Sequence, residues 1–209
     1  RISHARIPWH AAFLIRGRQA MSKTRTFVAL SVNDEIRHRA AELAKSLRTH
    51  ADDVRWTRPE NYHWTLQFVG DVSDGQLSEL CARVAEGVVD FEPFALAARG
   101  VGAFPSSARP RTLWLGAGQG YEEVVELHAA VESSLASMDL RSENRKYVPH
   151  ITLGRVGRMR SARRLAAMID KFTDFEAGET VAEEVIVFAS QMTRDGSRYH
   201  VVGRAALGG

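Results

Sequence analysis

The 209-residue chain contains a single cysteine, Cys81, so no disulfide bond can form within it. This composition suits a reducing compartment, and we expect a cytoplasmic protein. No apolar run approaches the roughly 18 residues that a membrane-spanning helix requires, so no membrane association is expected. A large excess of charge of either sign is also absent, because the net charge is only +3. A phosphate-bearing substrate is compatible with that charge, but a nucleic-acid partner is not required by it.

The first 20 residues differ from the remainder of the chain. They contain four arginines and no acidic residue, and their apolar run at residues 11–15 is too short for a signal peptide. A transit peptide and an upstream extension are both compatible with this composition. We expect residues 1–20 to lie outside the fold and residues 21–209 to form a single domain.

Hydrophobic periodicity in the remaining sequence alternates between strand and helix patterns. Helices are predicted to begin at Asn33 and at Ser73 or Asp74, and to span residues 121–138 and 161–172. Strands are predicted at residues 27–32, 54–57, 94–101, 112–116, 181–191 and 198–206, with a loop at 102–111 and a hairpin turn at Asp195-Gly196. Two further strands surround His63 and His150. This order predicts an α+β fold with two mainly antiparallel sheets and helices packed outside them.

One short motif, His-x-Thr-Leu, occurs twice on predicted strands, beginning at His63 and at His150. Side chains alternate between the two faces of a strand, so each histidine shares a face with the threonine two residues later, Thr65 or Thr152. The intervening apolar residues then face a core. We therefore predict two similar lobes related by a pseudo-two-fold axis, each contributing one His/Thr pair to a central cleft.

Two imidazoles across a cleft are suited to in-line displacement at phosphorus. Histidine has an ordinary pKa of about 6.5, so one ring can accept a proton from the nucleophile while the other donates one to the leaving oxygen. The threonine hydroxyls can donate hydrogen bonds to the non-bridging phosphate oxygens. A zinc site would need a third ligand, and no cysteine or acidic residue has the required spacing.

Simpler structural roles are expected for most of the other candidate residues. The six remaining histidines are predicted to be structural, and Cys81 is predicted to be a buried, unreactive thiol. Trp56, Trp64 and Trp114 are predicted to belong to the core. Arg109 and Arg111 flank Pro110 in the predicted loop; they could reach an RNA backbone, although a solvated loop charge is the more common outcome.

Several segments outside the two motifs also match a known family. They read Arg25-Thr-Phe-Val-Ala-Leu, Arg55-Trp-Thr-Arg-Pro-Glu-Asn-Tyr-His-Trp-Thr-Leu, Gly102-Ala-Phe-Pro, Pro110-Arg-Thr-Leu-Trp and Pro149-His-Ile-Thr-Leu-Gly-Arg. With these segments the chain resembles the 2H phosphoesterases, and most of all their RNA 2′,3′-cyclic phosphodiesterase branch, also called the 2′-5′ RNA ligase family. The resemblance implies a bilobal fold and metal-independent, cofactor-free hydrolysis of RNA ends carrying a 2′,3′-cyclic phosphate.

The same resemblance implies roles for individual residues. His63 corresponds to the general acid, His150 to the general base and Arg155 to an arginine that contacts the phosphate. Strict alternation would turn Arg155 away from His150, but Gly154 could allow a bulge that changes its direction. The implied product is a 2′-phosphate, and small cyclic nucleotides are possible further substrates of a protein expected to be monomeric.

Two other functions use the same cleft. The reverse reaction would join RNA ends through a 2′-5′ linkage, and a non-catalytic protein would bind the cyclic end without consuming it. Hydrolysis is expected to dominate over ligation, because no extra domain is visible that would position a second RNA end.

Overall fold

The computed structural model describes residues 23–51, 53–138, 146–158, 163–194 and 196–208. The predicted extension, residues 1–20, lies outside the described residues. The strands are β1 (Thr24–Ser31), β2 (Val54–Trp56), β3 (His63–Val72), β4 (Phe94–Phe104), β5 (Thr112–Ala117), β6 (His150–Val156), β7 (Glu176–Ala182), β8 (Glu184–Thr193) and β9 (Gly196–Ala206). The helices are α1 (Asp34–Arg48), α2 (Asp74–Val88), α3 (Tyr121–Leu135) and α4 (Arg163–Lys171), and a 3₁₀ turn (Pro59–Asn61) precedes β3.

Within the described residues the strands form one curled antiparallel sheet in the order β7-β4-β5-β6-β3-β1-β8-β9, and β2 pairs with β6. The two histidine strands, β3 and β6, are central and antiparallel, and their pairing is limited to Trp64 opposite Ile151. The two predicted sheets are therefore half-sheets joined at a narrow contact. Beyond that contact the histidine strands can diverge and leave a cleft between them.

The strand order is symmetric about the contact between β3 and β6. Each histidine strand is followed outward by three others, which are β1, β8 and β9 on one side and β5, β4 and β7 on the other. The halves are not consecutive in sequence, because β8 and β9, from the end of the chain, complete the half that carries His63. Similarly, β4 precedes His150 by many residues but belongs to its half. The predicted pseudo-two-fold relation is confirmed, with an exchange of strands between the halves.

Capping side chains define where the first two helices begin. The side chain of Asn33 accepts a hydrogen bond from the backbone N–H of Ile36, and acidic residues occupy the first turn of α1, where they complement the helix dipole. Ser73 and Gln76 form a reciprocal capping box at the start of α2. Both predicted helix starts are confirmed.

Some predicted boundaries were wrong. Residues 102–104 belong to β4 rather than to the loop, because they pair with residues 112–114 of β5. The ring of Trp114 lies against Gly102, where a Cβ would stand only 2.1 Å from it. The predicted strand 181–191 is divided at Glu183 between β7 and β8, which lie at opposite sides of the sheet. Helix α3 ends at Leu135, earlier than predicted. The β8–β9 hairpin is confirmed by the pairing of Thr193 with Gly196, while Asp195 lies outside the described residues.

The core lies between one face of the sheet and the helices. Trp64, Leu66, Ile151 and Leu153 are almost completely buried there, as the alternating pattern predicted. Helices α1, α2, α3 and α4 contact strands β7, β9, β3 and β4 respectively. Cys81 is half-buried on α2, and burial raises the pKa of its thiol. None of the described helices is long and apolar enough to cross a membrane.

Candidate active site

His63 and His150 occupy equivalent places, each at the first residue of a central strand. The Nδ1–H of His63 donates to the backbone carbonyl of Asn61 at 2.7 Å, and the Nδ1–H of His150 donates to the carbonyl of Val148 at 2.7 Å. A carbonyl oxygen can only accept, so Nδ1 carries the proton in both neutral rings. The Nε2 atom of each ring is thus the one left to exchange a proton with a ligand.

Equivalent β-bulges follow the two histidines. In β6 the residues on either side of Leu153 lie opposite consecutive residues of β5, so Leu153 is the extra residue. In β3 the extra residue opposite β1 is Leu66, at the same distance from its histidine. Because a bulge shifts the alternation by one residue, Arg155 joins the face that carries His150. The anticipated bulge beside Gly154 is therefore present, and it removes the conflict between alternation and a cleft-facing Arg155.

The bulges also distinguish the two halves, because Phe68 occupies the position in β3 that Arg155 occupies in β6. Both residues lie five positions after their histidine and both are exposed. Phe68 is 60% exposed, which is unusual for a phenylalanine on a central strand. The two halves therefore place an arginine and an aromatic ring at corresponding positions, and the cleft is chemically asymmetric.

Thr65 and Thr152 are half-buried on the strands that carry the histidines. Each lies two residues after its histidine and before its bulge, so it shares the histidine's face of the sheet. The two His/Thr pairs are thus presented in the same way by both halves. Their hydroxyl groups can donate to an anion bound between the strands.

Aromatic side chains pack around both histidines. The ring of His63 lies 4.8 Å from Phe27 and 5.5 Å from Tyr199 between centroids. The ring of His150 lies 5.0 Å from Phe104 and 6.4 Å from Trp114. Trp114 is half-buried beside His150, so its predicted place in the core was wrong, whereas Trp64 is fully buried as predicted. Trp56 is partly buried against the core.

This apolar packing governs the protonation of the two histidines. Burial lowers the pKa of His63 from 6.5 to about 4; the hydrogen bond to Asn61 opposes this shift, and positive charge on His150 adds to it. Burial also lowers the pKa of His150, with the hydrogen bond to Val148 opposing and the charge of Arg155 contributing. The histidines are thus close enough to influence each other's charge, and Arg155 is close enough to influence His150.

Two side chains from later in the sequence, those of Tyr147 and His128, donate hydrogen bonds to backbone carbonyls of β3. The hydroxyl of Tyr147 donates to the carbonyl of Thr65 at 2.9 Å, and the Nδ1–H of His128, on α3, donates to the carbonyl of Leu66 at 2.7 Å. The two rings stack with centroids 3.9 Å apart. These bonds satisfy carbonyls that β6 does not reach, and they tie the segment before His150 to the first motif. His128 has the structural role predicted for it.

Tyr199 and Phe68 were not predicted to belong to the site. Tyr199 lies on β9, far from either motif in sequence. Its ring contacts that of His63, and the charge of Arg155 opposes the increase that burial causes in the pKa of its hydroxyl. Phe68 could have been found by aligning the two motifs five residues beyond each histidine. Across the part of the chain that the structure describes, no group of three or more His, Cys, Asp or Glu side chains could hold a metal ion.

Comparisons with known proteins agree with this architecture. A family model described as "LigT like Phosphoesterase" matches the chain twice, at residues 30–114 and 115–199. The RNA 2′,3′-cyclic phosphodiesterase of Methanothermobacter thermautotrophicus is 33% identical over 177 residues, which cover 85% of this chain and 95% of that protein. The protein of the same name from Aquifex aeolicus is 30% identical over 190 residues, which cover 90% of this chain and 100% of that protein.

A solved structure shows the same fold. The crystal structure of E. coli LigT complexed with 3′-AMP superposes with a TM-score of 0.70 at 25% identity, and the match covers 88% of this chain and 98% of that one. The double match of one family model supports the internal duplication that the repeated motif indicated. By these matches the resemblance inferred from the motifs is confirmed, and the chain belongs to the LigT-like phosphoesterase family of 2H phosphoesterases.

Proposed function

We propose that this protein hydrolyses the 2′,3′-cyclic phosphate at the end of an RNA strand to a 2′-phosphate. The observation that carries the proposal is the matched presentation of His63 and His150. Both rings stand at the start of a central strand, both donate Nδ1–H to the carbonyl two residues earlier, and each lies within electrostatic range of the other. The names of the relatives from M. thermautotrophicus and A. aeolicus support the substrate class.

The proposed reaction is an in-line displacement at phosphorus. Neutral His150 accepts a proton at Nε2 from a water molecule, and the water oxygen forms a new bond to phosphorus. The P–O3′ bond breaks on the opposite side, and protonated His63 donates its Nε2 proton to the departing O3′. One water is consumed, and one 2′-phosphate and one 3′-hydroxyl are formed. The direction of transfer, with His63 as acid, follows the family resemblance.

The lowered pKa of His63 is compatible with its role as acid. A protonated imidazole with a pKa of about 4 is a strong proton donor, but it is rare at neutral pH in the free protein. A bound phosphodiester brings a negative charge to the cleft and favours the protonated form. The bound substrate thus favours protonation of both rings, and the assignment of the proton to His63, with His150 neutral, rests on the family resemblance.

The proposal is tested by the product formed from a short RNA with a 2′,3′-cyclic phosphate, in the presence of EDTA. We expect conversion to a single isomer, the 2′-phosphate, identified by phosphorus NMR and by its resistance to a 3′-specific phosphatase. EDTA should leave the rate unchanged. Binding without turnover would indicate a non-catalytic RNA-end protein, joined strands would indicate a ligase, and a pure 3′-phosphate would reverse the assigned roles of the histidines.

The pKa shifts predict the pH dependence. The proposed active form has one proton on the histidine pair, and its population follows the pH dependence of all one-proton forms, which are most abundant in the free protein between the two pKa values, about 4 for His63 and below 6.5 for His150. We therefore expect kcat/KM to peak in mildly acidic solution and to fall about tenfold per pH unit once both rings are neutral. The bell for kcat should lie at higher pH, since bound phosphate raises both pKa values.

The pH measurement compares kcat and kcat/KM for a nucleoside 2′,3′-cyclic phosphate at constant ionic strength. A rate that rises steadily to pH 10 would contradict the two-histidine mechanism and would indicate hydroxide or a metal-bound hydroxide as the nucleophile. Identical bells for kcat and kcat/KM would contradict the effect assigned to the substrate's charge.

A further inference from the structure

Four exposed arginines, which we call the arginine rim, surround the end of β6 that is farther from His150. They are Arg55, Arg109, Arg111 and Arg158. The backbone of β6 brings them together. Arg55, on β2, pairs with Arg155 on β6, and the carbonyl of Arg111 accepts the N–H of Val156 at 2.9 Å. Arg158 lies two residues after the end of β6. The rim therefore extends from Arg155, at the cleft, along β6 and away from His150.

The pairing of Arg55 with Arg155 is unfavourable without a ligand. Residues directly opposite each other on antiparallel strands place their Cβ atoms about 5 Å apart on the same face, and like charges in that position repel. Both side chains are exposed. A second phosphate, next to the one assigned to Arg155, would offset the repulsion and could accept hydrogen bonds from Arg55.

The other three arginines line a pocket of about 540 Å³, together with Pro105, Val156 and Gly157. Two of these neighbours connect the pocket to the cleft: Pro105 follows Phe104, whose ring contacts His150, and Val156 follows Arg155. Val156 lies one residue beyond Arg155 along β6, so the pocket begins next to the arginine assigned to the cyclic phosphate. The neighbouring phosphates of a longer RNA strand would reach it, whereas a single nucleotide has no phosphate left to place there.

The rim arginines have no ionic partner in the described part of the chain. No described acidic side chain forms an ion pair with any of the four, whereas Arg37, Arg83 and Arg204 elsewhere on the surface are paired with acidic residues. Asp53 lies nearby, but its carboxylate accepts the backbone N–H of Arg158 at 2.6 Å. Among the described residues, therefore, none of the four positive charges is paired with a carboxylate, and that of Asp53 is engaged with the backbone.

We propose that the arginine rim binds the internucleotide phosphates of the RNA strand upstream of the cyclic end. The inference rests on the proposed function for the identity of the strand, and it assigns to the rim a sequence-independent contact with the RNA backbone. A substrate several nucleotides long would reach both the histidines and the rim. A mononucleotide would reach the histidines and Arg155 but not the rim, so the rim makes the protein prefer oligonucleotides.

The test compares two protein variants of equal charge. In the rim variant Arg55, Arg109, Arg111 and Arg158 are all changed to Gln. The control variant carries the same change at four arginines outside the rim: Arg37, Arg39, Arg83 and Arg204. For each protein, kcat/KM is measured for an oligoribonucleotide of about eight nucleotides and for a mononucleotide with the same cyclic end. Binding of a labelled oligonucleotide with a 2′-phosphate end is measured by fluorescence polarisation between about 50 and 200 mM salt.

We expect the ratio of kcat/KM for the oligonucleotide to that for the mononucleotide to fall about tenfold in the rim variant and to stay constant in the control. The slope of log affinity against log salt should decrease by about 0.7 for each phosphate that the rim variant no longer neutralises. Equal ratios and slopes in the two variants would overturn the proposal. If neither substrate is turned over, the proposed function has failed, and the binding measurements still decide whether the rim holds RNA. Thermal unfolding of each variant confirms that it is folded.

Discussion

Replacement of either His63 or His150 by alanine should lower kcat by about 10²–10⁴-fold, the usual contribution of a positioned general acid or base. The double variant should be far less impaired than the product of the two single effects. Both rings serve the same proton-transfer sequence, and loss of one already disables the step that the other assists. The measurement is single-turnover hydrolysis of a nucleoside 2′,3′-cyclic phosphate.

These variants should remain folded. Each ring faces the cleft, and its Nδ1–H bonds locally to the carbonyl two residues earlier, while the apolar residues of the motifs hold the core on the opposite face. His38→Ala is the matched control, because His38 is exposed on α1 beside Glu42. A folded His63 or His150 variant with nearly full activity would refute the mechanism.

The motif pattern was sufficient to predict the two His/Thr pairs and the burial of the residues between them. Alternation along a strand is a local property, so Trp64 and Ile151 could be placed in the core from the sequence alone. Their direct pairing at the junction of the half-sheets could not be predicted, since it depends on which strands meet. The predicted strand 181–191 was wrong for a similar reason: β7 and β8 are adjacent in sequence but belong to opposite halves.

The aromatic surroundings of the histidines were also beyond the sequence pattern. Tyr199 reaches His63 because β9 returns to the first half-sheet, and Trp114 reaches His150 because Gly102 leaves room for its ring. These contacts supply the burial that lowers both pKa values. The pair of histidines could therefore be predicted from residue types, but the expected peak of kcat/KM in mildly acidic solution depends on tertiary packing.

The bulges have a consequence for substrate orientation. They place Arg155 and Phe68 at corresponding positions of an otherwise symmetric cleft, so the cleft offers positive charge on one side and an exposed ring on the other. A nucleotide has the same polarity, with a charged phosphate and a flat apolar base. In only one orientation does the negative phosphate lie at Arg155 while the base stacks on the ring of Phe68. A fixed orientation is what a single product isomer requires.

Arg155→Ala should therefore lower kcat/KM by about 10²–10³-fold, the usual cost of removing one group that stabilises transition-state charge. A second effect follows from the position of Arg155 beside His150. The guanidinium contributes to the lowered pKa of His150, so its removal should raise that pKa. The limb of the kcat/KM profile that reports His150 should then move to higher pH, a change that weaker phosphate binding alone would not cause.

The two readouts are measured on the same cyclic mononucleotide, with Arg155→Lys and Arg83→Ala as controls. Lysine keeps the charge but not the planar fork, so it should retain the pH profile of the original protein and recover only part of the missing kcat/KM. Arg83 lies on α2 in an ion pair with Glu79, and its replacement should change neither quantity. An Arg155→Ala variant within a few-fold of full activity would show that the re-aimed side chain does not act on the phosphate. An unshifted pH profile would show that its charge does not reach His150.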